Sequence, residues 1–232
     1  LTFDTDTLSH HARLMREAEN GAQPLTIRTR VRVDIDVTEL TIYTQDHPGL
    51  FSRVAGAISA VDANIVDAKA FTTPSGMALE TFWLQDNNGS ALSASGTLAK
   101  LTVQIERALA GQMKRSEPHT QHTFIPERIK IFKVPPRVIV DNQASATHTV
   151  IEINGRDRPG FLYLVTGALF SLSLQISSAK ISTFGERAVD VFYVKDGFGM
   201  KITHEGRLAT IRKTLLEAIR EEETASALSA AE

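Results

Sequence analysis

The sequence contains no cysteine, and that absence excludes a disulfide scaffold, a thiolate zinc site, an iron–sulfur cluster and a cysteine nucleophile together. It has no excess of either charge. Lys+Arg 25 against Asp+Glu 27 leaves a net charge of −2, so no overall field draws the chain to phosphate backbones or anionic lipid, and neither nucleic acid nor membrane is expected as a partner. No run approaches the roughly 20 apolar residues that span a bilayer. The N-terminus carries Asp4 and Asp6 in place of a basic-then-apolar signal, which makes the cytoplasm the expected compartment. The chain opens on Leu1 and not on methionine, which points to a segment of a longer protein. What is present is 232 residues, 42% hydrophobic, enough for one large domain or two small ones with a core each.

The most informative feature is self-similarity. Asp46-His47-Pro48-Gly49-Leu50-Phe51 returns as Asp157-Arg158-Pro159-Gly160-Phe161-Leu162, an offset of 111 residues (157 − 46). Gly56-Ala57-Ile58 matches Gly167-Ala168-Leu169, and Ala68-Lys69 matches Ala179-Lys180, at the same offset. After a one-residue slip, Phe82 meets Phe192, Asp86 meets Asp196, and Leu98, Leu101, Ile105 and Leu109 meet Leu208, Ile211, Leu215 and Ile219. The chain is written twice.

Each copy reads as β-α-β-β-α. In the first, residues 38–44 alternate as a strand, and a helix follows with apolar residues at Leu50, Phe51, Val54, Ala57, Ile58 and Val61. Two β-rich runs, 65–72 and 77–85, flank the turn Pro74-Ser75-Gly76. Leu98, Leu101, Ile105 and Leu109 then form the single apolar stripe of a helix lying on a sheet. A fourth strand precedes each copy, Arg30-Val31-Arg32-Val33-Asp34 and Arg137-Val138-Ile139-Val140-Asp141, and either completes its own sheet or the neighbour's. The predicted class is α+β, with antiparallel sheets carrying helices on one face. The expected organisation is a connecting helix and linker over 1–27, a first domain over 28–112, a linker over 113–136 that packs around the short run Ile129-Lys130-Ile131-Phe132, a second domain over 137–222 and a disordered tail over 223–232.

The repeated tetrad lies between a strand and a helix. Proline is tolerated in a helix's first turn and aspartate suits an N-cap. Glycine admits a ligand close to the backbone, and the free N–H groups attract a carboxylate. Such a loop suits a free amino acid, its carboxylate on the helix start and Asp46 or Asp157 neutralising the ammonium. The same features also describe nothing more than a well-made strand-to-helix turn.

A tandem of β-α-β-β-α units, each opening with a strand and Asp-x-Pro-Gly, resembles a pair of ACT domains, regulatory small-molecule modules of amino-acid metabolism. More specifically, Asn154-Gly155-Arg156-Asp157-Arg158-Pro159-Gly160, Ile181-Ser182-Thr183-Phe184-Gly185-Glu186-Arg187 and Asp190-Val191-Phe192-Tyr193-Val194-Lys195-Asp196 resemble the C-terminal ACT pair of the bacterial PII uridylyltransferase/uridylyl-removing family. Asp46-His47-Pro48-Gly49-Leu50-Phe51 and Asn64-Ile65-Val66-Asp67-Ala68 resemble its penultimate domain. The resemblance implies two ferredoxin-like domains that sense L-glutamine and switch an enzyme between attaching UMP to the PII protein and removing it. It implies partners in the enzyme's own catalytic domains and, through them, PII, with self-association through ACT domains possible. No cofactor is implied for this segment, magnesium being needed only by catalytic domains ahead of it. Their motifs are missing here: Asp34 and Asp36 lack a preceding Gly-Ser, and no His-Asp dipeptide occurs. The expected role is therefore regulatory, without catalysis of its own. The rival expectation is an ACT interaction module that binds no small molecule.

Carried over residue by residue, the resemblance implies ligand contacts at Asp46, His47, Gly49 and Leu50 with Asn64 and Ile65 in the first copy, and at Asp157, Arg158, Gly160 and Phe161 with Gln175 and Ile176 in the second. It also implies that ligand lies between the loop of one domain and the second strand of its neighbour. Arg158 stands where the first copy has His47, and Gln175 where it has Asn64, so the two sites need not be equal. An amide such as Asn64 can donate to and accept from a glutamine amide, which supplies selectivity against glutamate.

Other motifs are weaker. Gly155-Arg156-Asp157-Arg158-Pro159-Gly160 has a phosphate loop's glycine spacing, but Phe161-Leu162 stand where Lys and Ser/Thr are needed. Lys195-Asp196-Gly197-Phe198-Gly199 follows a strand, unlike the RNA-recognition motif it approaches. The seven histidines show no i, i+4 pair, and His119 and His122 flank a polar loop with no carboxylate cluster, which argues against a metal site. Arg28, Arg30 and Arg32 alternate along a strand and are expected to guard a sheet edge. Phe82 and Trp83 are expected to pack within the sheet.

Overall fold

The computed structural model describes residues 3–112, 135–157, 160–184 and 187–229. The linker run Ile129–Phe132 and the histidines His119 and His122 lie outside them. Helix α1 (Thr5–Asn20) is capped by Asp4, whose carboxylate accepts from the Thr7 amide at 2.8 Å. The first copy follows as β1 (Leu25–Arg32), β2 (Val37–Gln45), α2 (Leu50–Ser59), β3 (Asn64–Thr72), β4 (Met77–Gln85) and α3 (Ser95–Leu109). The second is β5 (Arg137–Asp141), β6 (Thr149–Arg156), α4 (Phe161–Ser171), β7 (Gln175–Phe184), β8 (Arg187–Lys195) and α5 (Glu205–Ser229). Helix α5 thus continues through most of the stretch expected to be a disordered tail. The first extra strand begins at Leu25, ahead of the expected boundary, because Leu25 and Ile27 pack on the core.

Each extra strand completes its own copy: β1 pairs antiparallel with β2, and β5 with β6. The eight strands form one sheet in the order β1-β2-β4-β3-β7-β8-β6-β5. The two halves meet where β3 pairs antiparallel with β7, Asp67 opposite Lys180, Ala68 opposite Ala179 and Lys69 opposite Ser178. Lys180 Nζ lies 3.8 Å from Asp67 Oδ2 across this seam. Both copies carry a bulge at the same register, between Ile65 and Asp67 and between Ile176 and Ser178. Burial favours this arrangement: Leu40, Ile42, Phe82 and Leu84 of one copy and Ile151, Ile153, Phe192 and Val194 of the other are fully enclosed in one continuous core.

Helices α2, α3, α4 and α5 supply the other wall of that core. Helix α1 packs on the opposite face, where Leu14, Ala18, Tyr43 and Leu79 form a second cluster. β1 is an outermost strand of the sheet, where its arginines were expected, and those side chains also form ion pairs. Arg30 reaches Asp6 at 2.7 Å and the buried Glu39 at 2.9 Å, and Arg32 reaches Asp34 at 2.9 Å. Phe82 is in the core, whereas Trp83, on the other face, meets Phe3 at 5.9 Å between centroids.

Helices α2 and α4 cross the boundary between the copies and pack on each other. Glycine makes the approach possible: a methyl group at Gly56 would lie 2.9 Å from the Tyr163 ring, and one at its counterpart Gly167 would lie 3.8 Å from Ser52 Oγ. Ser52 and Tyr163 are themselves counterparts, so a pseudo-twofold contact is filled on one side by an aromatic ring and on the other by a hydroxyl.

Candidate functional site

The turn from β2 into α2 differs from the capped turn read in the sequence. Gly49 is the N-cap, at φ +81, with no side-chain cap. Pro48 therefore precedes the cap, and Asp46 does not cap the helix: its Oδ2 accepts from Thr72 Oγ1 at 2.7 Å. The Asp46 amide donates to Gly76 O at 2.9 Å, and Gln45 Nε2 donates to the same carbonyl at 2.8 Å. The loop is thus tied to the end of β3 and the β3–β4 turn. The amide of Leu50 turns back to His47 O and that of Arg53 bonds Gly49 O, which leaves Phe51 and Ser52 as amides a helix start does not satisfy internally. The second copy repeats the geometry, with Gly160 as N-cap at φ +81 and Leu164 N on Gly160 O at 2.9 Å.

A cleft of about 980 Å³ opens over this loop. Asp46, His47, Gly49 and Leu50 form one side, and Gln175 and Ile176, where β7 begins in the other copy, form the opposite side. Half of the expected contacts are brought together, and the pairing crosses the copies. Phe170 of α4 is the lid of this corner, 45% exposed yet within 3.3 Å of where a Gly49 methyl would stand. The far rim carries His148, Tyr193 and Lys195.

The remaining expected residues lie elsewhere. Asn64 donates to Asp86 O and Asn87 Oδ1, each at 3.3 Å, and Ile65 is buried in the core; neither lines this cleft, so Asn64 is not positioned to select an amide within it. Phe161 is buried against Gly155. Asp157 and Gly160 belong to the second loop, whose Arg158 and Pro159 lie outside the described residues. The two loops are not alike: Ser59 occupies the place of Phe170 at the 111-residue offset, and nothing among the described residues lies within 4 Å of where a Gly160 methyl would stand.

One lining residue escaped the sequence reading. Glu80 of β4 is 4% exposed, and its Oε2 has no hydrogen-bond partner. Burial, and after it the charge of Asp46, pushes its carboxyl up to about 8. Its counterpart Asp190 is 1% exposed with an unpartnered Oδ1. Burial pushes that carboxyl up to about 7, opposed by the Ser182 amide and reinforced by Asp157. The signal was available: the core-facing series Ala78, Glu80, Phe82, Leu84 is repeated as Ala188, Asp190, Phe192, Val194, with an acid in both where alternation calls for an apolar residue.

Comparison with known proteins fits this geometry. Residues 144–222 match the family model of the "ACR family N-terminal ACT domain", and the first copy has the same element order and sheet order. The chain has the fold of two ACT domains in tandem. The pair is 54% identical over 227 residues to the bifunctional uridylyltransferase/uridylyl-removing enzyme of Azospirillum brasilense, covering 94% of this chain and 24% of that protein. It is 50% identical over 222 residues to the enzyme of the same name from Rhodospirillum rubrum, again over 94% of this chain and 24% of the other. The ACT pair therefore spans about a quarter of the length of these relatives. A crystal structure of aspartate kinase from Synechocystis overlays with a TM-score of 0.44 at 14% identity, over 80% of this chain and 27% of that one. Among the described residues of the ACT pair, no helix is long and apolar enough to cross a membrane.

Proposed function

We propose that this ACT pair is an amino-acid sensor that binds L-glutamine in the cleft between its two domains and regulates a cytoplasmic uridylyltransferase/uridylyl-removing enzyme acting on PII. The observation that carries the reading is the composition of the cleft: a helix start with a glycine N-cap and a loop carboxylate from one domain face the first residues of β7 from the other. A zwitterion has a group for each kind of charge there. Glutamine as the amino acid, and the enzyme's catalytic domains and PII as partners, are what the resemblance of the sequence motifs to the uridylyltransferase/uridylyl-removing family implies. The mechanism is population shift: a ligand touching both domains favours one arrangement of them, and that preference biases catalytic domains elsewhere in the longer protein.

Calorimetric titration of the 232-residue chain with L-glutamine, and with L-glutamate and other amino acids as controls, tests the reading. Saturable binding of glutamine near one per chain is expected, with stabilisation of about 2.7 kcal/mol at 100 times the dissociation constant. Absence of both heat and thermal shift overturns the sensor and favours an interaction module that only holds domains together or docks PII.

A further inference from the structure

Glu80 is an expensive residue to keep. It stands on the core-facing side of β4, between Ile42 of β2 and Ala70 of β3, almost wholly buried, one carboxyl oxygen unpartnered, and in the wall of the cleft beside Asp46. A buried polar atom without a partner is destabilising unless something arrives to pair with it. The second copy keeps a similar device, with Asp190 buried at the equivalent place, its Oδ1 unpartnered although the carboxylate accepts from the Ser182 amide, and Asp157 in its loop. An accident of packing has no reason to recur at one register in both halves.

We propose that Glu80 and Asp46 together form the receptor for a primary ammonium group of the ligand. The inference rests on the amino-acid reading above and fixes its orientation: ammonium at the sheet, between two carboxyl groups, and carboxylate toward the amides of Phe51 and Ser52 at the start of α2. The other ionisable groups facing the cleft are His47 on the loop and His148, Tyr193 and Lys195 from the second domain. Arg53 of α2 is exposed, and the faces of β2 and β3 beside Glu80 carry Ile42 and Ala70.

A proton follows from this geometry. In the empty cleft Glu80 is held protonated at neutral pH by burial and by the charge of Asp46. When an ammonium enters, the Glu80 O–H bond breaks, the proton passes to solvent and the carboxylate stays paired with the ammonium. No other reactant is consumed. Binding near pH 7 therefore releases close to one proton, and affinity rises about tenfold per pH unit until Glu80 would ionise unaided.

The test is calorimetry on the 232-residue chain with L-glutamine, N-acetyl-L-glutamine, a panel of L-amino acids and ethylammonium, in phosphate and in MOPS, two buffers of different ionisation enthalpy without a primary amine, at several pH values between about 6 and about 8. Expected are proton release with glutamine, a tenfold affinity gain per unit and a loss of at least about a hundredfold for the acetylated ligand. In Glu80→Gln, binding weakens and its pH slope vanishes; if that variant does not fold, the acetylated ligand decides. Glutamine binding without proton exchange, with the acetylated ligand bound equally well, overturns the ammonium receptor and leaves glutamine sensing standing. Proton-releasing binding of another primary ammonium compound in place of glutamine upholds the receptor and overturns glutamine as its ligand. No binding of any primary ammonium compound overturns both.

Discussion

Single residues carry most of the site's chemistry, and two pairs of counterparts allow it to be measured. Gly49 and Gly160 share φ +81, but among the described residues only Gly49 has an aromatic ring over it, Phe170, at 3.3 Å from an added methyl. Gly160→Ala is expected to cost about 1–2 kcal/mol for the left-handed backbone alone. Gly49→Ala is expected to cost more, because the ring must also move. Urea denaturation of the two variants checks this, and the excess should vanish in a Phe170→Ala background. Glu80 gives a second prediction. Its folded-state pKa lies above its unfolded value, so its contribution to stability is fully present below the unfolded value near pH 4.5 and is lost as pH rises toward about 8. Glutamine cannot ionise, so the stability of Glu80→Gln relative to the parent should increase steadily from pH 5 to pH 8; a constant difference in chemical denaturation across that range would contradict the burial argument. Loop residues were the most legible part of the site, because Asp-x-Pro-Gly recurs. Their roles were less so. Asp46 looked like an N-cap, but the left-handed glycine delays the helix to Leu50 and leaves the carboxylate to Thr72.

At the scale of elements, hydrophobic period and turn chemistry were enough to place the strands and helices of both copies, since each alternating or stripe-like run becomes an element of the expected kind. The joining of the copies was not legible. Which edge of a sheet pairs with another depends on complementary shape along β3 and β7, and nothing in the local pattern of Ala68-Lys69 or Ala179-Lys180 announces it. The ion pairs of Arg30 were illegible for a similar reason: its partners Asp6 and Glu39 come from α1 and β2, and only folding brings the three together. The α2–α4 contact yields a prediction at this scale. Gly56→Ala would place a methyl 2.9 Å from the Tyr163 ring, so it should loosen the packing between the domains and weaken ligand binding severalfold while sparing each domain's core. Tyr163→Ala in the same chain should restore binding. A double-mutant cycle by calorimetry reads the coupling, and additive effects would show that the contact does not govern the cleft.

For the whole molecule, one continuous sheet joins the two domains, and a ligand bound as proposed between the Asp46 loop and β7 would touch both and bias their relation. Coupling of this kind is worth about 1–3 kcal/mol, enough to redistribute two domain arrangements of similar energy. The inequality between Phe170 over one loop and Ser59 at the corresponding place of the other gives the two sites different architecture and makes the Asp46 cleft the stronger candidate. Hydrogen–deuterium exchange of the 232-residue chain with and without saturating L-glutamine tests the central claim most directly. The account predicts slowed exchange in residues 46–52 and 175–180 together, one segment from each domain. Slowing confined to one domain, or none, would contradict a ligand site built between them.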